Sequence, residues 1–277
     1  MKKTSKFQFR PLYLALLYAA AIAFFFTQAY NAKQMSYSFD FVGWGGTFRH
    51  HNVKVLGLSL YQLMILAGVI ISIGISLAKR AKTKRTVVGA VLLPLVIFAV
   101  CFVGAKLLYI AENYEAFRRN GLKFDGLSLF GAIFITPLFA FLVSFFHKDK
   151  TARLLDEIIY FELIMLVAIR TGCFLQGCCE GITLWKGELN PIVLPAQLIE
   201  AFLDLLILEY CIKLRDSRGK EGRMFPWFMM LYGVSRFLLE FIRNNPKALL
   251  CFTYSQIFAV ICFLFGWLLL KYFTKRK

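Results

Sequence analysis

The sequence has few acidic residues and few histidines, with 16 Asp and Glu against 33 Lys and Arg, and three His among 277 residues. A formal charge of +17 could serve nucleic-acid binding. The basic residues lie in short clusters between apolar runs, however, so the sequence has no basic domain that could hold a duplex. A ring of repeated pore residues is also missing, which argues against a simple channel. The first apolar run is long and lacks a small-residue cleavage pattern after it, so we expect no cleavable signal peptide.

Long apolar runs dominate the chain, in which 59% of the residues are hydrophobic and 30 are Phe. Several of these runs reach the roughly 20 residues that a helix needs to cross a bilayer. The sequence therefore predicts an all-α polytopic membrane protein, a bundle of about eight transmembrane helices. The predicted spans are 11–29, 55–78, 87–110, 126–146, 154–174, 195–213, 224–242 and 252–272.

The segments between the predicted spans differ in their content of Lys and Arg. Segments on the side of both termini hold 21 of these residues, and segments on the opposite side hold 9. Short loops rich in Lys and Arg stay in the cytoplasm. The distribution therefore predicts that both termini are cytoplasmic and that the loops after the third, fifth and seventh spans face outward.

Charged side chains recur in the outer half of the predicted bundle. Arg170 ends the fifth span, Glu200 begins the sixth, and Arg236 and Glu240 share one face of the seventh. A lone Arg or Lys at the centre of a membrane costs about 2.5 to 3.5 kcal/mol, so these groups, with Lys106, should converge on one polar cavity. Guanidinium groups suit phosphate oxygens, and the anion available at this depth is a phospholipid headgroup. The alternative is that Arg236 and Glu240 only neutralise each other while Arg170 reaches the headgroups.

The segment that follows Arg170 holds three glycines and three cysteines within a dozen positions. Glycines permit sharp turns and a close approach of a ligand to the backbone. Cys173, Cys178 and Cys179 would face outward, where a disulfide bracing the loop is the first interpretation and a reactive thiol is the second. A metal site ranks below both, because three cysteines on a short loop without a nearby histidine make a poor tetrahedron. We expect no metal and no cofactor.

Three motifs in this order resemble those of the prolipoprotein diacylglyceryl transferase family. They are the arginine-glycine segment 170–181, the Pro-x-Gln-x-x-Glu segment 195–200 and the Tyr-Gly-x-x-Arg-Phe-x-x-Glu-Phe-x-Arg segment 232–243. The resemblance covers residues from about 53 to 272. The family usually has seven helices, so the resemblance implies an extra helix and external loop over 1–54 and a transferase-like membrane domain over 55–277.

The resemblance implies a transferase of the bacterial plasma membrane. Members of this family move the diacylglyceryl group of phosphatidylglycerol to the thiol of a lipobox cysteine on a prolipoprotein, and glycerol phosphate leaves. The implied partners are phosphatidylglycerol and the lipobox peptide, without nucleic acid. The implied catalytic residues are Arg170, Arg236 and Glu240. The implied substrate-binding residues are Tyr61, Cys173, Gly181, Gln197, Glu200, Tyr232 and Arg243.

The chain departs from the family pattern at positions close to the chemistry. The family's histidine, a proposed base, aligns with Phe130, and a motif asparagine aligns with Cys173. An acidic residue of the same loop aligns with Cys178. His50 and His51, in the external loop, are the alternative source of a base. The alternative function is a non-catalytic or differently specific phospholipid-binding membrane protein that kept the arginine clamp.

Overall fold

The structure is a computed structural model, and it describes residues 10–35, 54–83, 86–121, 126–146, 151–186, 191–218, 222–243 and 252–275. Both candidate histidines of the external loop, His50 and His51, lie outside the described residues.

Helices form almost all of the described chain. They are α1 (Pro11–Met35), α2 (Leu60–Thr83), α3 (Val87–Glu112), α4 (Tyr114–Asn120), α5 (Leu129–Phe146), α6 (Thr151–Gln176), α7 (Ala196–Arg218), α8 (Met224–Leu239) and α9 (Tyr254–Lys275), with a 3-10 turn over Glu240–Ile242. Two antiparallel hairpins complete the description, β1 (Lys54–Val55) with β2 (Leu58–Ser59) and β3 (Thr183–Lys186) with β4 (Pro191–Val193).

Eight of the nine helices in the described ranges correspond to the eight predicted spans in chain order, and the all-α fold class is confirmed. The second span begins five residues later than predicted, because Lys54–Val55 and Leu58–Ser59 pair as a hairpin. Its turn residues Leu56 and Gly57 both have positive φ, as a two-residue hairpin turn requires. The short helix α4 lies in the predicted loop after the third span.

Apolar surface covers the outside of the bundle, as expected for a multi-pass membrane protein. Five helical segments in the described chain, in α2, α3, α6, α8 and α9, are long and apolar enough to cross a bilayer, and α1 and α5 contain shorter apolar stretches. The helix α7 is less apolar because it carries Glu200, Asp204 and Glu209, all of which are buried against protein. Large side chains exposed on the other helices include Leu17, Ile70, Val103, Leu142, Leu264 and Leu268.

The helix α6 lies at the centre of the bundle and packs against α2, α3, α5, α7 and α8. In the apolar part of α6, 61% of the residues are buried, against 11% in α2, so α6 is a core helix and α2 leaves much of its surface exposed. The helices α3 and α5 cross closely at two glycines. A Cβ atom added to Gly131 would lie 2.2 Å from the Gly104 carbonyl oxygen, so this crossing needs residues without side chains.

Reciprocal capping bonds fix the starts of two helices near the site. Ser59 and Gln62 exchange backbone-to-side-chain hydrogen bonds of 2.9 and 3.2 Å at the start of α2. Thr253 and Gln256 do the same, at 3.0 and 3.2 Å, at the start of α9. Each pair satisfies two backbone N–H groups that a helix start would otherwise leave unpaired. The starts of α2, α7 and α9 meet the ends of α6 and α8 at one end of the bundle, where the site is built.

Candidate active site

Three arginines converge on the carboxylate of Glu200, which lies in the second turn of α7. Arg170, near the end of α6, places Nη2 2.7 Å from Glu200 Oε1. Arg243, directly after the 3-10 turn that ends α8, places Nη1 3.1 Å from Glu200 Oε2. Arg236 of α8 places Nη1 3.9 Å from the same Oε2 atom. The structure therefore brings the guanidinium groups of α6 and α8 together around a single carboxylate.

A second carboxylate orients Arg236 from within its own helix. Arg236 Nη2 lies 3.1 Å from Glu240 Oε2, four residues later, the spacing at which helical side chains meet. The same Nη2 donates to Ser255 Oγ at 3.3 Å, so the start of α9 also holds the guanidinium. Glu240 begins the 3-10 turn of residues 240–242. That turn ends the helix and lets Arg243 reach Glu200.

The arginine cluster, defined as Arg170, Arg236 and Arg243 with Glu200 and Glu240, is buried and carries a formal charge of +1. Each of the charged side chains in its ion pairs is at most 6% exposed. Arg170 Nε, Arg236 Nη1 and Arg243 Nε have no hydrogen-bond partner among the described residues. Buried donors are normally paired, so these three donor atoms are candidate contacts for an anionic ligand.

Two tyrosines border the cluster. The backbone and ring of Tyr61, in the first turn of α2, pack onto Gly172, where an added Cβ would lie 3.0 Å from the Tyr61 ring. Tyr232 of α8 is fully buried, and its hydroxyl has no hydrogen-bond partner in the described chain. A buried hydroxyl without a partner is costly, so it too is a candidate contact for a ligand.

Gly181 and Gln197 tie the cysteine loop to the cluster. The Gly181 N–H donates to the Leu194 carbonyl at 3.0 Å, and Gly181 also forms an antiparallel bridge with Arg243. A Cβ added to Gly181 would lie 2.8 Å from two backbone oxygens, so the position requires glycine. Gln197 Nε2 donates to the Cys178 carbonyl at 2.6 Å, one turn of α7 before Glu200.

The end of α6 brings Cys173 and Cys178 together. Gly177 has φ +68° and donates to the Phe174 carbonyl, while the Cys178 N–H donates to the Cys173 carbonyl at 3.0 Å. These two bonds around a left-handed glycine form a Schellman motif, which places the flanking side chains against each other. The Sγ atoms of Cys173, Cys178 and Cys179 all lie within 4.8 Å of one another, and we call these residues the cysteine cluster.

The cysteine cluster contains three free thiols, although the sequence favoured a disulfide in this loop. Cys179 has φ +63°, a left-handed conformation that residues with a Cβ rarely adopt. Hydrogen bonds from the Cys173 and Cys178 thiols lower the pKa of the Cys179 thiol below its ordinary value. The positive charges of Arg170 and Arg243 lower this pKa further. Negative charge on sulfur is therefore favoured at this position.

Phe130, at the place of the family histidine, lies in a cluster of aromatic rings. Its ring centroid lies 6.0 Å from Tyr232, 6.0 Å from Phe134 and 5.8 Å from Phe258. The side chain is buried. Aromatic rings therefore fill the space around this position.

An apolar groove of about 550 Å³ runs between α7 and α8 beside the arginine cluster. One end of the groove is formed by Leu239 and Ile242, next to Glu240 and Arg243. Other residues that line it are Leu203, Leu206, Leu231 and Val234.

Two neighbours of the site, Asp204 and Tyr18, were not foreseen in the sequence. Asp204 is buried one turn after Glu200, and its carboxylate oxygens have no hydrogen-bond partner in the described ranges; its i,i+4 spacing from Glu200 was the available signal. Tyr18 of α1 bonds through its hydroxyl to Thr171, the residue after Arg170. Lys106, which the sequence analysis grouped with these charges, donates to the Gly126 carbonyl at 3.4 Å. Arg243, expected from the sequence as a substrate-binding residue, is the third cation of the cluster.

The chain also resembles known proteins in sequence. Residues 48–272 match the family model of prolipoprotein diacylglyceryl transferase. A phosphatidylglycerol–prolipoprotein diacylglyceryl transferase 2 of Clostridium perfringens is 25% identical over 242 residues, which cover 81% of this chain and 94% of that protein. A phosphatidylglycerol–prolipoprotein diacylglyceryl transferase of Clostridium tetani is 26% identical over 72% of this chain and 85% of its own length.

Proposed function

We infer the function from the premise that this chain belongs to the prolipoprotein diacylglyceryl transferase family, whose model matches most of its length. The chain is a transferase that moves the diacylglyceryl group of phosphatidylglycerol to a prolipoprotein. In the balanced reaction, a sulfur–carbon bond forms between the acceptor cysteine and the glycerol carbon of the lipid. The carbon–oxygen bond to phosphate breaks, glycerol phosphate leaves with the electron pair, and the thiol proton is released.

The arginine cluster is the proposed binding site for the lipid phosphate. The observation that carries this proposal is that Arg170, Arg236 and Arg243 surround Glu200 while each keeps a buried donor atom without a hydrogen-bond partner among the described residues. The net formal charge of +1 matches the single negative charge of a phosphodiester. Donors fixed in place before the reaction stabilise the charge that grows on the leaving phosphate.

The two carboxylates of the cluster are positioning residues in this proposal. Glu240 holds Arg236 from one side, and Glu200 holds all three guanidinium groups at a common point. Without these acids the three cations would repel one another in a buried setting. Tyr61, Gly181, Gln197 and Tyr232 surround the cluster and would shape the space for the headgroup and the acceptor.

The groove between α7 and α8 is the proposed site for an acyl chain. It is apolar, lies next to the 3-10 turn that precedes Arg243, and is lined by side chains such as Leu203 and Val234. A lipid whose phosphate lies at the arginines could extend a chain into this groove. The acceptor is proposed to be the lipobox segment of a prolipoprotein, approaching from the outer face of the bacterial plasma membrane, with both termini of the enzyme in the cytoplasm.

Turnover by the purified protein in lipid nanodiscs tests the assignment of the arginines. The assay supplies phosphatidylglycerol and a lipobox peptide, and mass spectrometry measures the added diacylglyceryl mass. We expect Arg170→Ala and Arg236→Ala each to lower kcat by about 10²- to 10³-fold, the cost of removing one preorganised donor. Arg119→Ala, in an exposed residue of α4, is the matched control and should turn over normally. Normal turnover in both cluster variants would refute the assignment.

A non-catalytic phospholipid-binding protein is the second candidate, and the aromatic packing around Phe130 is the observation that favours it. Such a protein would bind phosphatidylglycerol through the arginine cluster without modifying any cysteine peptide. The same assay separates the candidates: lipid binding that depends on Arg236, together with no turnover on any cysteine peptide, supports the second.

A further inference from the structure

The cysteine cluster has no role in the phosphate site described above, although it lies beside it. Cys178 accepts a hydrogen bond from Gln197 through its carbonyl, and Gln197 precedes Glu200 by one turn of α7. Cys173 follows Arg170 by three residues on α6. The three thiols therefore lie about one helical turn from the arginine cluster, where an acceptor thiol must meet the lipid.

We propose that Cys173, Cys178 and Cys179 bind a zinc ion through their sulfur atoms and that the acceptor thiol occupies the fourth, open position of this ion. The proposal rests on the transferase function inferred above and adds to it the group that activates the acceptor. Thiolate ligands select borderline-soft and soft cations such as Zn²⁺ over Mg²⁺ or Ca²⁺.

The spacing of the sulfur atoms fits this ion. A Zn–S bond is about 2.3 Å long, so two sulfurs of a tetrahedral site lie about 3.8 Å apart. The three Sγ atoms of the cysteine cluster already lie within 4.8 Å of one another. The distance between any two of these sulfurs therefore exceeds the spacing of a tetrahedral zinc site by no more than about 1 Å.

The backbone fixes the three cysteines in place before any ion arrives. The Schellman motif around Gly177 sets Cys173 against Cys178. Cys179 is held in the left-handed region at φ +63°, which residues with a Cβ rarely adopt. Strain of this kind persists where the surrounding structure imposes it, and it is concentrated at functional sites. The left-handed turn directs the third thiol towards the other two.

Three protein ligands and an open position are the arrangement of a catalytic zinc site, whereas structural sites use four ligands. The sequence ranks a metal site low because three cysteines lack a fourth protein ligand, whereas a catalytic site keeps that position open for a substrate. A thiol bound to Zn²⁺ loses its proton. In the family this deprotonation is assigned to a histidine, and this chain has Phe130 at the aligned position. A zinc ion held by the three cysteines would keep the acceptor sulfur as a thiolate, with its proton released to solvent. The sulfur would form a bond to the glycerol carbon as the carbon–oxygen bond breaks, and glycerol phosphate would leave with the electron pair towards the arginines.

Metal content and a cobalt spectrum of the full chain in nanodiscs test the site directly. The protein is purified with a non-thiol reductant, and Zn²⁺ is measured by mass spectrometry after removal of excess metal. We expect about one ion per chain in the wild type and under about a tenth in Cys173→Ala/Cys178→Ala/Cys179→Ala. Cys101→Ala/Cys211→Ala/Cys262→Ala, which removes free cysteines of the helices, is the matched control and should keep the ion.

The open position is tested with Co²⁺ in place of Zn²⁺. We expect a sulfur-to-cobalt charge-transfer band that grows when a lipobox peptide is added and does not change with the same peptide carrying Ser for Cys. Absence of the ion from wild-type protein, or equal metal content in the cysteine-cluster variant, would overturn the proposal. A disulfide between two of the three cysteines in protein purified without reductant and loaded with Zn²⁺ would overturn it as well.

Turnover separates this proposal from the transferase function on which it rests. Full turnover in the presence of a chelator that strips the ion would reject the zinc proposal and leave the transferase intact. Bound zinc with a peptide-dependent cobalt spectrum, but without turnover of phosphatidylglycerol, would support the metal site and reject the transferase. Arg236→Ala should keep the ion and lose turnover, since the arginine does not bind metal.

Discussion

At the scale of single residues, the site depends on Glu200. One carboxylate contacts three guanidinium groups from the ends of two helices. The sequence could identify Arg170, Arg236 and Glu240, because a charged side chain inside an apolar run is costly in a membrane and therefore indicates a functional site. It could not identify Glu200 as the meeting point, since that depends on how closely α6, α7 and α8 approach at one end of the bundle.

Glu200→Gln is expected to destabilise the protein, because it leaves three buried cations with one carboxylate. Breaking a buried ion pair by removing one partner costs about 3 to 5 kcal/mol. Thermal unfolding in nanodiscs should show a clearly lower Tm for this variant. Glu115→Gln, at an exposed position of α4, is the control and should match the wild type. An unchanged Tm for Glu200→Gln would mean that the arginines do not depend on this acid.

Tyr232→Phe removes a fully buried hydroxyl that has no hydrogen-bond partner among the described residues. Because no partner is lost, the free energy of unfolding should stay the same or rise slightly. Turnover should fall about tenfold if the hydroxyl contacts the lipid headgroup in the transition state. Tyr114→Phe, on exposed α4, controls for the substitution itself. Equal turnover of both variants would exclude Tyr232 from the substrate site.

At the scale of elements, the hydropathy of the sequence was sufficient to predict the helices but not the structure of the segments that connect them. The eight spans follow from the length and composition of the apolar runs. The hairpin of β1 and β2 was missed because strands of two residues carry no periodic pattern. The Schellman motif at the end of α6 could have been predicted from the sequence. Gly177 follows the last helical residue, and Cys173 and Cys178 stand at the two positions that such a motif brings together.

The crossing of α3 and α5 depends on the absence of side chains at Gly104 and Gly131. Gly131→Ala would place a methyl group 2.2 Å from the Gly104 carbonyl oxygen, so the two helices must separate. Overpacking of this kind costs about 1 to 3 kcal/mol, which should appear as a lower Tm. Gly74→Ala in α2, where nothing lies within 4 Å of the added Cβ, should leave Tm unchanged or raise it. A Gly131→Ala variant as stable as Gly74→Ala would contradict the close crossing.

At the scale of the whole molecule, the excess of Lys and Arg on one side of the spans determines the expected orientation. A reporter fused after Lys277 and another inserted at Lys82 should both give a cytoplasmic signal, because short basic loops stay on that side. Insertion after Lys186, between the strands of the second hairpin, should give an external signal. An external signal at Lys277 or Lys82 would contradict both the orientation and the outward placement of the arginine cluster.

The bundle as a whole gathers the ends of α6 and α8 and the starts of α2, α7 and α9 at one end, and that arrangement produces the arginine cluster proposed to bind the lipid phosphate. A cryo-EM map of the protein in nanodiscs of phosphatidylglycerol tests this most directly. We expect headgroup phosphate density within hydrogen-bond distance of both Arg170 and Arg236. Lipid phosphate density that contacts neither arginine, with Glu200 alone filling the space between them, would contradict it.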